Sequence, residues 1–407
     1  MTLTAELLTA GTELLKGSVL NTNARFLGRE LTDLGFVVKG QQACRDEIPA
    51  IRERLAEALS RSDLVIVSGG LGPTPDDVTR DAVAEFFRAP LVFSRPQFLR
   101  IQKYYRRRGR KVPGMVRREA MFPQNAVPLV NHYGIALGFT ISQDGRLVVV
   151  LPGVPEELEK MFRRLVRPLL RRFFRRLKSR PAFTARIAGL SEPEVMRRLG
   201  KDFFKAPFDF GIYPEAGEVT LRLQADTKTV LAELRKKICV RLGDSLYSLE
   251  DISLAEAVGR ILAQKGKTLA VAESCTGGLL ASEITKVPGA SRYFKGSVTA
   301  YDDLIKEEWL EVPRSLLVRK GAVSRESALM LARVVRKKMK SSYGLAVTGI
   351  AGPSGGSPSK PVGLVFIALA SADKSRAWRH HFWGDRIQIQ TKAMKKALEH
   401  LWRRLTR

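Results

Sequence analysis

Thr268-Leu269-Ala270-Val271-Ala272-Glu273-Ser274-Cys275-Thr276-Gly277-Gly278 is the stretch whose reading decides the fold. The apolar run is too short for a helix and reads as a buried strand, which opens into a glycine loop and a helix over Leu279–Thr285. Strand, loop and helix in that order are the unit of an α/β layer structure. The same pattern recurs elsewhere. Ala5–Ala10 ends at Gly11, and Leu64-Val65-Ile66-Val67 runs into Ser68-Gly69-Gly70-Leu71-Gly72-Pro73-Thr74. Val148–Leu151 closes on Pro152-Gly153-Val154-Pro155, and Gly344–Val347 runs into Thr348-Gly349-Ile350-Ala351-Gly352-Pro353.

Between these strands lie helical patterns. Asn23–Leu34 carries Phe26, Leu27, Leu31 and Leu34 at helical spacing and stops at Gly35, and Ile51–Leu59 is the next helix. The fold expected is α/β: two α/β domains with mostly parallel sheets, over residues 1–165 and 251–407, joined by a small α+β module over 166–250. Phe183–Ala188 and the period-2 run Val219-Thr220-Leu221-Arg222-Leu223 are its strands, with a helix around Thr229–Leu242. The last domain opens at Ser253 as a helix N-cap, adds a strand within Val362–Leu369, and closes on a basic helix from Gln388 to Leu405.

A chain of 407 residues suits two or three domains. No apolar run reaches the ~18–20 residues of a membrane helix, and the N-terminal stretch lacks the basic n-region of a secretory signal. Cys44, Cys239 and Cys275 show no paired spacing, which excludes a disulfide framework and points to the reducing cytoplasm. The four histidines form no zinc-ligand spacing. Charge is the unusual quantity: 69 Lys and Arg against 41 Asp and Glu give +28. Such a field attracts phosphates and nucleic acid alike. The run Arg163–Arg176 interleaves leucines and phenylalanines with its arginines, as an amphipathic helix with a solvated face does. Nucleic-acid binding is the alternative reading of the same residues, although no DNA- or RNA-reading module accompanies them.

The loops carry the chemistry. In open α/β sheets ligands bind at the carboxyl ends of strands. In the first domain, Gly69, Gly70 and Gly72 let backbone N–H groups approach a phosphate, and Thr74 and Thr79 add hydroxyls. Asp76 and Asp77 suit a divalent cation such as magnesium, or merely complement a helix dipole. In the last domain, Ser274 or Cys275 would project at a helix N-terminus, where free N–H groups hold an oxyanion or a phosphate. Cys275 there is either a reactive thiol or a small core residue. Tyr301 and Lys306 offer a phenol and an amine; a desolvated lysine serves as base to a hydroxyl where histidine is lacking. The Gly349–Gly352 loop suits a phosphate, and Arg386 supplies a guanidinium for a two-point contact.

Together these motifs resemble the CinA family (competence/damage-inducible protein A) along nearly the whole chain. In the first domain the resemblance rests on Gly11-Thr12-Glu13-Leu14-Leu15, Asn21-Thr22-Asn23, Gly69–Asp81 and Leu151-Pro152-Gly153-Val154-Pro155-Glu156. In the last it rests on Ala272–Gly278, Pro288-Gly289-Ala290-Ser291, Tyr301 with Lys306, Gly321-Ala322-Val323-Ser324, Thr348–Pro353 and Gly384-Asp385-Arg386. The resemblance implies a molybdopterin-binding-like first domain with metal-dependent ADP-ribose pyrophosphatase activity. Its nucleotide-binding positions would be Glu13, Asn23, Gly69, Gly70, Gly72 and Thr74, with Asp76 and Asp77 for the metal. It implies a nicotinamide-nucleotide amidohydrolase last domain that needs no cofactor and releases ammonia from nicotinamide mononucleotide. There Ser274 is the nucleophile, Lys306 its base and Tyr301 a proton relay. Thr276, Gly277, Gly278, Ser291, Gly349, Gly352 and Arg386 bind substrate. A homodimer is the assembly it implies.

The chain departs from the family pattern in places. Val116-Arg117-Arg118-Glu119-Ala120 stands where the family reads Asn-x-Lys-Gln-Ala, and Gly134-Ile135-Ala136-Leu137-Gly138 where it reads Gly-Thr-Ala-Pro-Gly. Val116, Glu119, Ile135 and Leu137 therefore change the polar character of a ligand loop. Asp303 replaces an amide three residues before Lys306, so its charge bears on that lysine. The rival functional class is a nucleic-acid-associated or nucleotide- or pterin-binding protein with vestigial sites.

Overall fold

The computed structural model describes residues 2–178, 180–205 and 208–407, which fall into two compact units, Met1–Arg180 and Pro181–Arg407. In the first unit β1 (Thr4–Ala10) pairs in parallel with β2 (Val37–Cys44) on one side and β3 (Leu64–Ser68) on the other. A short hairpin follows, β4 (Leu91–Phe93) with β5 (Met121–Pro123). Then β6 (Val127–Leu129), β7 (Gly138–Gln143) and β8 (Arg146–Leu151) complete a six-stranded sheet of order β2-β1-β3-β8-β7-β6. β8 runs parallel to β3, while β7 runs antiparallel to β8 and to β6.

The crossover helices Thr22–Leu34 and Ile48–Arg61 bury Leu27, Leu31 and Leu34, and Ile51 and Leu55, against opposite faces of this sheet. With both faces covered, β3 is buried at every residue, as continuous apolar runs in parallel strands require.

The boundary expected at 165/166 falls inside a helical run, Pro155–Met161, Phe162–Val166 and Arg167–Phe173. Pro168 cannot donate to the carbonyl of residue 164, and the turns just before it widen to π geometry without ending the helix. Phe162, Val166, Leu170 and Phe174 are buried one turn apart in the first unit's core, which carries the run to the unit boundary. Arg163, Arg164, Arg171 and Arg172 are left facing outward or partly so, the geometry of an amphipathic helix.

The second unit opens with β9 (Ala182–Ala188), β10 (Asp209–Glu215), β11 (Glu218–Gln224) and β12 (Leu246–Ser248), an antiparallel sheet of order β10-β11-β9-β12. Helices Glu192–Leu199 and Lys228–Leu242 cover it, with Val195, Leu199, Leu234 and Ile238 buried.

The second sheet of this unit contains β13 (Leu269–Glu273), β14 (Phe294–Thr299), β15 (Tyr343–Gly349), β16 (Leu364–Ala370) and β17 (Ser375–His381). Its order is β14-β13-β15-β16-β17, with β13 parallel to both neighbours and the last two pairs antiparallel. Helix Leu279–Thr285 returns the chain to β14 on one side of β13. The later helices return it to β15 on the other side, so the topological switch lies at β13. The C-terminal helix, Arg386–Thr406, buries Ile389, Ala393, Ala397, Leu398 and Leu401 against the sheet. No helix among the described residues is long and apolar enough to cross a membrane.

Helix Arg325–Lys338 lies so close to β15 that a Cβ on Gly344 would overlap the Ala332 carbonyl. Gly344→Ala should therefore destabilise the second unit by about 1–3 kcal/mol. Chemical denaturation of the variant against wild type reads this directly.

Candidate functional site

The level parallel register of β14, β13 and β15 places three loops at one edge of the sheet. Glu273 is opposite Thr299 and Val347 at once, and the bonds continue past the strands. Ala300 N–H donates to Glu273 O at 2.7 Å and Ser274 N–H to Val347 O at 2.9 Å. Ser274 thus sits between the segment that carries Tyr301 and Lys306 and the segment that carries Gly349 and Gly352.

The helix N-terminus behind Ser274 is already filled. Glu273, 0% exposed, turns its carboxylate onto three backbone donors: Gly278 N–H at 3.1 Å, Leu280 N–H at 3.0 Å and Ala281 N–H at 2.8 Å. The free N–H groups expected there for an oxyanion or a phosphate are consumed by this internal anion, which compensates the helix dipole itself. Gly277 N–H is also used, donating to Ser274 O at 3.1 Å. Thr276 is the polar group left over: it is 3% exposed and its hydroxyl has no partner among the described residues. Gly277 and Gly278 both adopt positive φ, 60° and 99°, which the tight passage from strand to helix requires.

Lys306, on helix Asp303–Glu308, is 2% exposed. Its ammonium donates to Asp303 Oδ1 at 2.9 Å and to the Tyr301 carbonyl at 3.1 Å. The contact foreseen from the replaced amide is therefore made. Asp303, with its side chain 58% exposed, supplies the counter-charge a buried ammonium needs. Tyr301 is 59% exposed, and its phenol oxygen accepts from Arg386 Nη2 at 2.6 Å. Arg386 Nη1 donates to Gly352 O at 2.7 Å. The guanidinium expected to meet a phosphate thus stitches the Tyr301 segment to the Gly352 loop. Ser291 is not brought to this edge. It is exposed and lies just before β14, at the amino end of the sheet, whereas Ser274 follows the carboxyl end of β13.

Two residues of the site escaped the sequence reading. Glu273, read only as the first residue of the loop, is the last residue of β13 and the anion on which the loop is built. Gln390, on the C-terminal helix, donates from Nε2 to the Cys275 carbonyl at 2.7 Å and holds the loop from a segment 115 residues away. Acidic residues just before glycine-rich helix starts are a legible signal for the first; the second has none.

Cys275 is a core residue. It packs with Leu280 and Val347, and burial, aided by the Glu273 charge, pushes its thiol up to about 12. The lowered value that a helix N-terminus gives a thiol is overridden.

In the first unit the equivalent edge forms a cleft of ≈ 260 Å³ that brings together Glu13, Asn23, Gly69, Gly70, Asp76 and Asp77. Asn23 Nδ2 donates to Gly153 O at 2.7 Å. A Cβ on Gly69, whose φ is 97°, would overlap the Ala10 carbonyl, so the loop closes only with glycine. Gly72 and Thr74 do not line this cleft; Thr74 is exposed, and its N–H donates to Asp77 Oδ2 at 2.9 Å. Asp76 and Asp77 do line it. Asp77 already accepts from Thr74, and among the described residues no three His, Cys, Asp or Glu side chains converge to hold an ion. The altered loop has become apolar: Val116 joins Ile101 and Ala120 in a small buried cluster, with Ile135 against it, and Leu137 is 1% exposed. Glu119 is 2% exposed.

Two outcomes test this local picture. Glu273→Gln, which turns donors toward donors, should lower stability by about 2–4 kcal/mol, read by chemical denaturation. Iodoacetamide at pH 8 should modify the exposed Cys239 in the folded chain while Cys275 and Cys44, whose thiol burial lifts to about 11, stay unmodified by mass spectrometry.

Residues 6–172 match the family described as "Probable molybdopterin binding domain", and residues 251–405 match the family described as "CinA C-terminal domain". A CinA-like protein of Dictyoglomus thermophilum is 39% identical over 413 residues, covering 98% of each chain. One from Kosmotoga olearia is 38% identical over 411 residues, again covering 98% of each. Among solved structures, protein CinA of unknown function from Thermoplasma acidophilum shares 34% identity, with a TM-score of 0.39, and is matched over 98% of its length by 41% of this chain. Matched end to end by these relatives and over both α/β domains by these two families, the chain belongs to the CinA family.

Proposed function

We propose that the C-terminal domain, residues 251–407, hydrolyses the carboxamide of nicotinamide mononucleotide to nicotinate mononucleotide and ammonia. The observation that carries this reading is a serine next to a buried lysine segment where no histidine takes part. Ser274, Tyr301 and Lys306 share the carboxyl edge of β13 and β14, and Lys306 is 2% exposed. In the proposed reaction Lys306 Nζ, having released its ammonium proton to solvent by way of the exposed Asp303 carboxylate it contacts, takes the proton of Ser274 Oγ as that oxygen bonds to the amide carbon. The same proton passes to the departing nitrogen, with the Tyr301 phenol as relay, as the C–N bond breaks. Water then attacks the ester, and Ser274 regains its proton. Thr276 Oγ1, buried and without an internal partner, supplies a hydrogen bond to the oxygen that becomes negative. Arg386 orients Tyr301 through its 2.6 Å contact and leaves its remaining donors for a phosphate.

The N-terminal cleft is read here as a nucleotide site of the ADP-ribose class. Pyrophosphate cleavage there would need a divalent ion, and Asp76 and Asp77, which line the cleft, are the carboxylates that would hold it together with the substrate phosphates. We also read the chain as a homodimer of the reducing cytoplasm. Tyr301, Leu304, Trp383 and Ile387, 59–75% exposed around the Arg386–Tyr301 contact, support the first, and three free thiols support the second.

Purified protein should release ammonia from nicotinamide mononucleotide, and Ser274→Ala and Lys306→Ala should each cut the rate by at least ~10³-fold. Asp303→Asn should retain activity, since the amide oxygen can still accept from Lys306 Nζ. Full ammonia release by the first two variants would overturn the mechanism. No release by wild type, joined to salt-steep DNA binding, would favour the nucleic-acid reading.

A further inference from the structure

The first unit carries its charge unevenly. Between Ser94 and Arg118 the chain has ten lysines and arginines and no acid. Among the described residues Arg118 alone of the ten meets a carboxylate, Asp81 at 2.7 Å. The others repel one another without a counter-charge, and such a field draws polyanions.

The fold gathers this segment into one lobe. β4 and β5 pair Phe93 with Met121, and Ser94 N–H donates to Ala120 O at 2.8 Å, so the excursion begins and ends at one place. Helix Arg95–Arg106 lies between them, capped by Ser94 Oγ, which accepts from Gln97 N–H at 3.3 Å. Ile101 is buried with Val116 and Ala120 of the returning chain, and Gln97 Nε2 donates to the Ile135 carbonyl at 2.8 Å. At about 3.6 residues per turn, the opposite side presents Arg95, Leu99, Lys103 and Arg106 in one row, all exposed. Arg100 and Tyr104, half-buried, form the row beside it. One turn on, the Arg108 guanidinium lies 3.7 Å from the centre of the Tyr104 ring. At the other end of the helix, Arg117 lies 4.7 Å from the centre of the Phe93 ring, which is 38% exposed.

We propose that this lobe, residues 93–118, is a binding surface for single-stranded nucleic acid. Its cations track the phosphates, while Tyr104 with Arg108 and Phe93 with Arg117 offer planar faces on which unpaired bases stack. In a duplex the bases are already stacked on one another, and the two rings have nothing to meet. An anionic membrane fits less well. A helix that lies in lipid needs a broad apolar face, and this one spends its own on Val116 and Ala120. Charge in the sequence marks polyanions in general; the ring–guanidinium pairs, which only the fold reveals, narrow them to a strand with free bases. The surface lies wholly in the first unit and takes nothing from amide hydrolysis in the second.

The test uses the full chain. Fluorescence anisotropy reads binding of an oligothymidylate, an oligouridylate and a duplex of one length, and co-sedimentation reads binding to phosphatidylglycerol vesicles. Single strands should bind with a log–log salt slope of about −2 to −4, as release of counterions from roughly three to six phosphates gives. The duplex should bind at least ~5-fold more weakly. Tyr104→Leu and Phe93→Leu keep every charge; each should weaken strand binding by ~5-fold or more and leave duplex binding as it was. Either decides if the other does not fold, which thermal unfolding reports. Arg107→Gln, Arg110→Gln and Lys111→Gln together should cost about 10-fold and flatten the salt slope. Arg314→Gln, Arg319→Gln and Lys320→Gln, which remove the same charge from the second unit, should change affinity by no more than about twofold. Binding of either single strand supports the surface, and the pair tells which sugar it prefers. Equal losses in the two triple variants would reduce the effect to net charge and overturn the lobe. So would a duplex bound as tightly as the strands with no response to Tyr104→Leu or Phe93→Leu, or binding to vesicles without binding to strands.

Discussion

Parallel pairing of one central strand with a neighbour on each side is the constraint from which both candidate sites follow. β13 in the second unit and β1 in the first each lie between two strands that run the same way, reached by crossovers over opposite faces. Loops leaving such strands emerge at one edge and part in opposite directions, which leaves a crevice at the switch. Ser274, Tyr301 and Gly352 come from segments far apart in sequence, yet they meet because Glu273, Thr299 and Val347 are level in the sheet.

How each crevice is then furnished differs in its electrostatics. In the C-terminal domain the helix dipole is answered from within by Glu273, so its loop is rigid and self-satisfied. A second buried charge, Lys306, is balanced by Asp303 across 2.9 Å. In the N-terminal unit the balance is left open. Two nitrogens of the buried Arg80 have no partner among the described residues, Asp81 acts on its charge more strongly than Glu119 does, and burial pushes the Glu119 carboxyl up to about 7.

Some of this was legible residue by residue. Short apolar runs ending in glycine marked β1, β3, β8, β13 and β15, because a fully buried parallel strand has no polar face to blur the signal. Helical spacing identified Thr22–Leu34 and the amphipathic run around Phe162–Phe174. What periodicity missed were strands with mixed faces, such as β14 (Phe-Lys-Gly-Ser-Val-Thr) and β17 (Ser-Arg-Ala-Trp-Arg-His-His), whose partners alone make them strands. Asp303 against Lys306 could be anticipated, since three residues on a helix are neighbours. Ser291 could not be excluded, because a motif records proximity along the chain and says nothing of which end of a strand it occupies.

By itself, then, the sequence determined the α/β layering, the glycine-opened loops and the local pairings within a turn or two, all consequences of short-range sterics and hydrophobic period. Only the tertiary structure decided which loops share an edge, that Glu273 rather than a ligand fills the helix N-terminus, that Arg386 binds Tyr301 and Gly352, and that Arg80 is buried with donors to spare. Those outcomes depend on which polar groups meet after water has been excluded. That is settled by strand order and register, and neither is written in any one segment of the chain.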